Sequence, residues 1–123
     1  MDKVNNTIDE LHQKAMVLAE EAYYLKINQE LPSAQEKYLA AFQYEQAAAM
    51  LLVNQYEMEP TRSVFFRSAA CLLLNLPFPS EEYFREAEKM VGYGLSGNPP
   101  TEIAEELRQA WQELMEHFQK EAA

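Results

Sequence analysis

Glu59-Pro60-Thr61-Arg62-Ser63-Val64-Phe65-Phe66-Arg67-Ser68-Ala69-Ala70-Cys71-Leu72-Leu73-Leu74 is the stretch whose reading decides the fold. Proline suits the first turn of a helix, because the amide hydrogen it lacks has no intrahelical partner there. From Ala69 onward every position is apolar, and a helix without a polar side must be surrounded by others. The stretch therefore predicts a central helix ending near Asn75, where Leu76-Pro77-Phe78-Pro79 forms a rigid loop. Arg62 and Arg67 ride on this helix about 140° apart by its 3.6-residue period, so they need not share a face. A guanidinium buried there demands a partner, since an unpaired internal charge is strongly destabilising. Glu45 and Glu59 are the expected partners, and a bridge from Arg62 or Arg67 to either would fix helix register.

Upstream, Thr7-x-x-Glu10 reads as a capping box. It opens an apolar stripe of Ile8, Leu11, Ala15, Leu18, Ala22 and Leu25 on a helix running to about Asn28. Near its end, only one of Tyr23 and Tyr24 has room to face inward with the stripe. Leu31-Pro32 is expected to end that segment, and Ser33-x-x-Glu36 to cap the next. That second helix carries Tyr38, Leu39, Ala41, Phe42, Ala48, Leu51 and Leu52. Its Ala47–Val53 portion is apolar all round and is expected to be central.

Downstream, Ser80 caps a fourth helix whose first turn holds Glu81 and Glu82, a favourable placement against the helix dipole. Phe84, Ala87, Met90, Val91 and Leu95 form its buried face. Gly92 and Gly94 each weaken it by about 1 kcal/mol relative to alanine, which suggests close packing at both. Gly97 reads as its C-terminal cap. Beyond Asn98-Pro99-Pro100, Ile103, Leu107, Trp111, Leu114 and Phe118 mark an amphipathic last helix, with Glu102, Glu105, Glu106, Glu113 and Glu116 on its other sides. The expectation is one all-α domain over residues 1–123, built of about five helices in antiparallel hairpins with an amphipathic C-terminal capping helix.

Composition narrows the function. Twenty acids against ten bases give a formal charge of −10, which argues against nucleic acid, whose affinity comes from lysine and arginine neutralising phosphates. The same charge would repel an anionic membrane surface, and no apolar run approaches the ~18 residues of a membrane span. Cys71 is the only cysteine, so no internal disulfide forms and it reads as a small buried hydrophobe. The opening residues Met1–Asn6 lack the basic-then-apolar pattern of a leader. A cytoplasmic setting is expected.

Two segments share a spacing. Ala40, Tyr44 and Ala47 stand at i, i+4 and i+7, as do Ala87, Val91 and Gly94, with Phe84 before and Pro99 after. The second set resembles the second helix of a tetratricopeptide repeat; the first departs from it, with Lys37 in the aromatic position and no closing proline until Pro60. The two sets are 47 residues apart, against about 34 in a regular array, so the resemblance implies a divergent two-hairpin relative. The blocks Glu59-Pro60-Thr61-Arg62-Ser63-Val64, Arg67-Ser68-Ala69-Ala70 and Asn98-Pro99-Pro100-Thr101-Glu102-Ile103-Ala104-Glu105-Glu106-Leu107-Arg108 resemble those of small bacterial proteins of unassigned function with a tetratricopeptide-like fold. That resemblance implies a fold and carries no residue roles.

No motif for catalysis stands out: there is no nucleophile elbow and no glycine-rich phosphate loop. His12, three after Asp9, and His117, four after Glu113, miss the Glu-x-x-His spacing of bundle metal sites and read as solvated. No cofactor or metal is expected. Seven tyrosines, six phenylalanines and Trp111 exceed what a small helical core easily hides, and tyrosine, tryptophan and arginine often anchor interfaces. The expected function is a non-catalytic protein-interaction module, homodimeric, binding a peptide or protein in an inter-helix groove. Tyr23, Tyr24, Arg62 and Arg67 are its candidate contacts. The alternative is an enzyme or nucleic-acid-processing factor on the same scaffold.

Overall fold

The computed structural model describes residues 3–122, apart from the side chains of residues 4 and 5, so the leader reading of Met1 and Asp2 lies outside it. Five helices follow in order: α1 (Lys3–Ile27), α2 (Leu31–Leu51), α3 (Thr61–Leu74), α4 (Glu81–Leu95) and α5 (Thr101–Ala122). A single 3-10 turn, Tyr56–Met58, lies between α2 and α3, and the described residues contain no strand. Short connections make successive helices antiparallel neighbours. Each helix packs on the next, and α3 also reaches α5. Met16 and Ala19 of α1, Ser68 of α3 and Glu106 of α5 border one depression. Phe42 of α2 and Tyr83 of α4 border another. The helices thus form two layers, α1, α3 and α5 against α2 and α4. One core cluster runs through all five, from Ile8 through Tyr38, Phe66 and Met90 to Leu114.

Alanine sets how closely the first hairpin closes. Ala15 and Ala22 on α1, and Ala34, Ala41 and Ala48 on α2, recur at seven-residue intervals and are completely buried. Side chains this small let two helix axes approach to the short end of the usual 8–10 Å range. Gly94 plays the same part between α3, α4 and α5. A Cβ placed on it would lie 3.0 Å from a Leu107 methyl and 3.3 Å from Phe66 Cβ. Gly92, by contrast, has open space where a Cβ would stand, so the close packing expected at both glycines occurs at one.

The helix ends depart from the sequence reading at several points. Helix α1 begins a turn earlier than Thr7, whose hydroxyl donates to the Lys3 carbonyl inside the helix at 2.8 Å instead of capping it. Pro32 starts α2 rather than stopping α1, which places Ser33 inside the first turn, and no side chain caps that end. Helix α1 is stopped by Gln29, in the left-handed region at φ 62°. The Glu30 amide bonds the Leu25 carbonyl at 2.9 Å and the Gln29 amide bonds the Lys26 carbonyl at 3.1 Å. This is a Schellman closure built without glycine. Because the left-handed region costs a side-chain-bearing residue about 1 kcal/mol, Gln29→Gly should raise stability by about that amount, read as a higher urea midpoint at unchanged slope.

Ser80 caps α4 as expected, accepting from the Tyr83 amide at 3.3 Å. Gly97 is not a left-handed cap: the C-cap is Ser96, and no glycine has positive φ. Ala47, Met50 and Leu51 are exposed, because no helix lies outside the first hairpin, so that end of α2 is not central. Helix α5 buries Ala104, Leu107, Ala110 and Leu114. Packing through alanines turns the helix slightly from the expected stripe and leaves Trp111 37% exposed. No helix of the described residues is long and apolar enough to cross a membrane.

Candidate functional site

Two polar constellations lie inside the fold and a third lines its surface. The first is built on Glu45, completely buried on α2. Its carboxylate meets Nδ1 of His12, on α1, through both oxygens at 2.8 and 3.0 Å. The His12 ring stacks on Phe65 of α3, centroids 4.4 Å apart and planes 14° apart, and Ser68 lies close enough to the same carboxylate to lower its pKa. The base that pairs Glu45 is therefore His12, neither Arg62 nor Arg67, and His12 is held in the fold rather than solvated beside Asp9. Burial pushes the Glu45 carboxyl above its ordinary value of 4.5, while the hydrogen bond and charge of His12 and the nearby Ser68 pull it back.

That shift fixes a sign. A carboxyl raised in the folded state holds its proton more tightly there than when unfolded, so its ionisation disfavours the fold as pH rises. Glu45→Gln keeps a neutral, hydrogen-bonding isostere. Relative to this variant, wild type should lose stability as pH rises above 4.5, the carboxyl's ordinary value. Paired urea titrations above that value check the trend; a flat difference would contradict it.

The second constellation surrounds Arg62, also completely buried. Its Nε donates to the Val53 carbonyl at 2.9 Å, and its Nη2 to the Tyr93 carbonyl at 2.9 Å and the Ser96 hydroxyl at 3.4 Å. Its Nη1 stands 3.6 Å from Glu59 Oε2 with no hydrogen bond of its own. The guanidinium carbon lies 5.0 Å from the Tyr56 ring centre and 5.2 Å from that of Phe66, within cation–π range. Glu59 in turn accepts from the Ser63 amide at 2.9 Å and the Asn98 amide at 3.0 Å. Gly97 is required here: a Cβ on it would collide with Arg62 Nη1 and Glu59 Oε2. Arg62 is thus a brace among the α2–α3 connection, α3 and the end of α4, and is inaccessible to a partner. Of the two expected pairings, Glu59 is the one present.

Arg67 is different. It is part-exposed and bridges Glu106 of α5 at 3.0 Å, an arrangement worth about 0.2–1 kcal/mol at a surface. It stands in the third constellation, a groove on the α1, α3, α5 layer. One depression of about 370 Å³ is bordered by Met16, Ala19, Arg67, Ser68, Cys71 and Leu72, and reaches Asn75 and Glu106. A second, about 330 Å³, lies between α3 and α5 and is bordered by Leu74, Gln109, Ala110 and Glu113 as well as Cys71, Asn75 and Glu106. Cys71, Asn75 and Glu106 border both, so the two depressions lie side by side along α3.

Cys71 stands in this groove with part of its surface open to solvent, contrary to the buried reading. Burial raises its thiol above the ordinary value; Arg67 opposes that shift, and Glu106 and Glu113 add to it. A catalytic cysteine has its thiol lowered, and nothing around Cys71 does that on balance; its exposure leaves it open to alkylation. Lys26 of α1 donates to the Asn75 carbonyl at 2.7 Å.

Tyr23 and Tyr24 are both 56% exposed, so neither turns inward. Tyr23 stands one helical turn beyond Ala19, at the α1 edge of the groove, and Tyr24 lies about 100° round from it. Neither borders the two depressions. His117 stacks on Phe84, ring centres 3.9 Å apart. Among the described residues, no three His, Cys, Asp or Glu side chains gather to hold a metal. Comparison of the chain with family models, curated proteins and solved structures finds no match.

Proposed function

We propose that this chain is a non-catalytic interaction module of tetratricopeptide-like build that binds an extended segment of a partner protein. The site is the groove across α1, α3 and α5. The observation that carries this reading is the adjacency of two depressions that share Cys71, Asn75 and Glu106 as borders. The channel has an apolar floor at Leu72, Leu74 and Ala110, with hydrogen-bonding groups along both sides. A floor of that kind suits side chains, and such margins suit the polar backbone of a peptide. Of the four expected contacts, Arg67 belongs to this site; Tyr23 stands one helical turn beyond its Ala19 border, and Arg62 and Tyr24 lie outside it.

Pairing of two copies is part of the proposal. The outer face of the first hairpin leaves Val17, Met50 and Leu51 in water, and two hairpins fall short of the three or so repeats that stacked folds usually need. The single unpaired cysteine favours a reducing, cytoplasmic setting.

A displayed library of random dodecapeptides tests the groove directly, because its sole cysteine allows a selective block. Binders are expected to lose affinity when Cys71 carries a bulky maleimide. They should also shift the amide resonances of Met16, Ala19, Ser68, Asn75 and Gln109. A library yielding only binders indifferent to the Cys71 block would sink the reading. Sedimentation at micromolar concentration tests the dimer separately.

A further inference from the structure

The two sides of the groove are unlike in charge. Helix α5 contributes Glu106, Gln109 and Glu113 at i, i+3 and i+7, all exposed and all on its border. Both carboxylates act on the Cys71 thiol, so both are felt at the groove floor. Among the described residues Arg67 is the one basic side chain bordering either depression, and it is engaged by Glu106 at 3.0 Å, while Lys26 reaches only the Asn75 carbonyl from outside the lining. Glu113 pairs with no base among the described residues. One negative charge is left uncompensated beside an apolar floor formed by Leu74 and Ala110.

We infer that the segment bound in this groove is cationic, placing a lysine or arginine side chain against Glu113 while an apolar neighbour packs on Leu74 and Ala110. This rests on the groove reading given above and adds the chemistry of the partner. Coulomb attraction in a half-enclosed channel selects by sign, and the long stems of lysine and arginine cover apolar surface while their heads reach a carboxylate. An acidic segment would face Glu113 and the wider −10 charge of the chain, with the one base of the groove lining, Arg67, already engaged by Glu106.

The test takes the dodecapeptides whose binding is blocked by alkylation of Cys71 and reads their composition and their response to Glu113→Gln. The expected pool is enriched in Lys and Arg. Its members should bind Glu113→Gln about threefold to fivefold more weakly, as one partly exposed charge pair implies, and should lose affinity with added salt. Glu113 is exposed, so the variant keeps its fold, as its unfolding midpoint will show. A Cys71-sensitive pool that is neutral or acidic, or whose affinity is indifferent to Glu113→Gln, overturns the inference and leaves the groove reading standing. A cationic pool insensitive to the Cys71 block reports general attraction to an acidic surface and overturns it as well. Absence of any Cys71-sensitive pool removes both.

Discussion

Arg62→Met is expected to lower the unfolding free energy by about 3–5 kcal/mol, the cost of breaking a buried, hydrogen-bonded charge site by truncating one side. Methionine keeps the apolar stem of arginine but ends short of the guanidinium, so it leaves a void there as well. What disappears is the donor set. The Val53 and Tyr93 carbonyls and the Ser96 hydroxyl lose the guanidinium that holds them. The Ser96 hydroxyl still donates to the Tyr93 carbonyl at 2.7 Å, so the Val53 carbonyl is the acceptor left without its donor, at about 1–3 kcal/mol for a buried group. Glu59 is less affected, because two backbone amides still donate to it. Arg67→Met supplies the control on the same helix: it removes one surface bridge, with a cost of about 0.2–1 kcal/mol. Urea unfolding of the two variants should separate them clearly. Near-equal losses would contradict the assignment of Arg62 as the brace and Arg67 as a surface residue.

Phe66→Ala is expected to cost a similar amount, about 3–5 kcal/mol, through lost transfer energy and the cavity left behind. Phe66 is completely buried where α3 meets α4. Its ring centre lies 5.4 Å from that of Tyr93, and its Cβ lies against the bare backbone of Gly94. That backbone is rigid and offers no side chain to swing into the void, so collapse of the cavity is limited. Against a typical domain stability of about 5–15 kcal/mol, either substitution leaves a marginal protein. Because Arg62 lies over the Phe66 ring, the double variant should lose less than the sum of the two. A thermal and urea cycle over the four proteins measures that coupling.

Where sequence and structure agree, the signal was local. Pro60, Ser80 and the Asn98-Pro99-Pro100 turn each act through the geometry of one or two residues, and α3, α4 and α5 start where those residues place them. The misread ends were those in which two local signals competed. Thr7 and Ser33 look like caps, yet both helices begin earlier, and Pro32 is compatible with either a stop or a start. Gln29 carries no signature of its left-handed conformation, since glycine is the residue that usually announces it. The polar constellations were legible only in part. Glu59 lies three residues from Arg62 and was found, whereas His12 and Glu45 are 33 residues apart. The strongest bonds to Arg62 are accepted by backbone carbonyls, which every residue possesses. The groove was expected as a class of feature, but its residues come from three helices, and only Arg67 among its borders was named in advance.

Stacked helical hairpins touch only their neighbours, so such folds tend to fray from an end, one unit at a time. Arg62 alters that tendency here. A single side chain on α3 holds the chain just beyond α2 and the last turn of α4, while the Glu45–His12 pair, stacked on Phe65, ties α1, α2 and α3 at its own level. Opening of either hairpin breaks bonds belonging to the other. Amide exchange in the closing turns of α2 and α4 should therefore report one shared opening event, and the molecule should melt as one cooperative unit rather than as two hairpins in series.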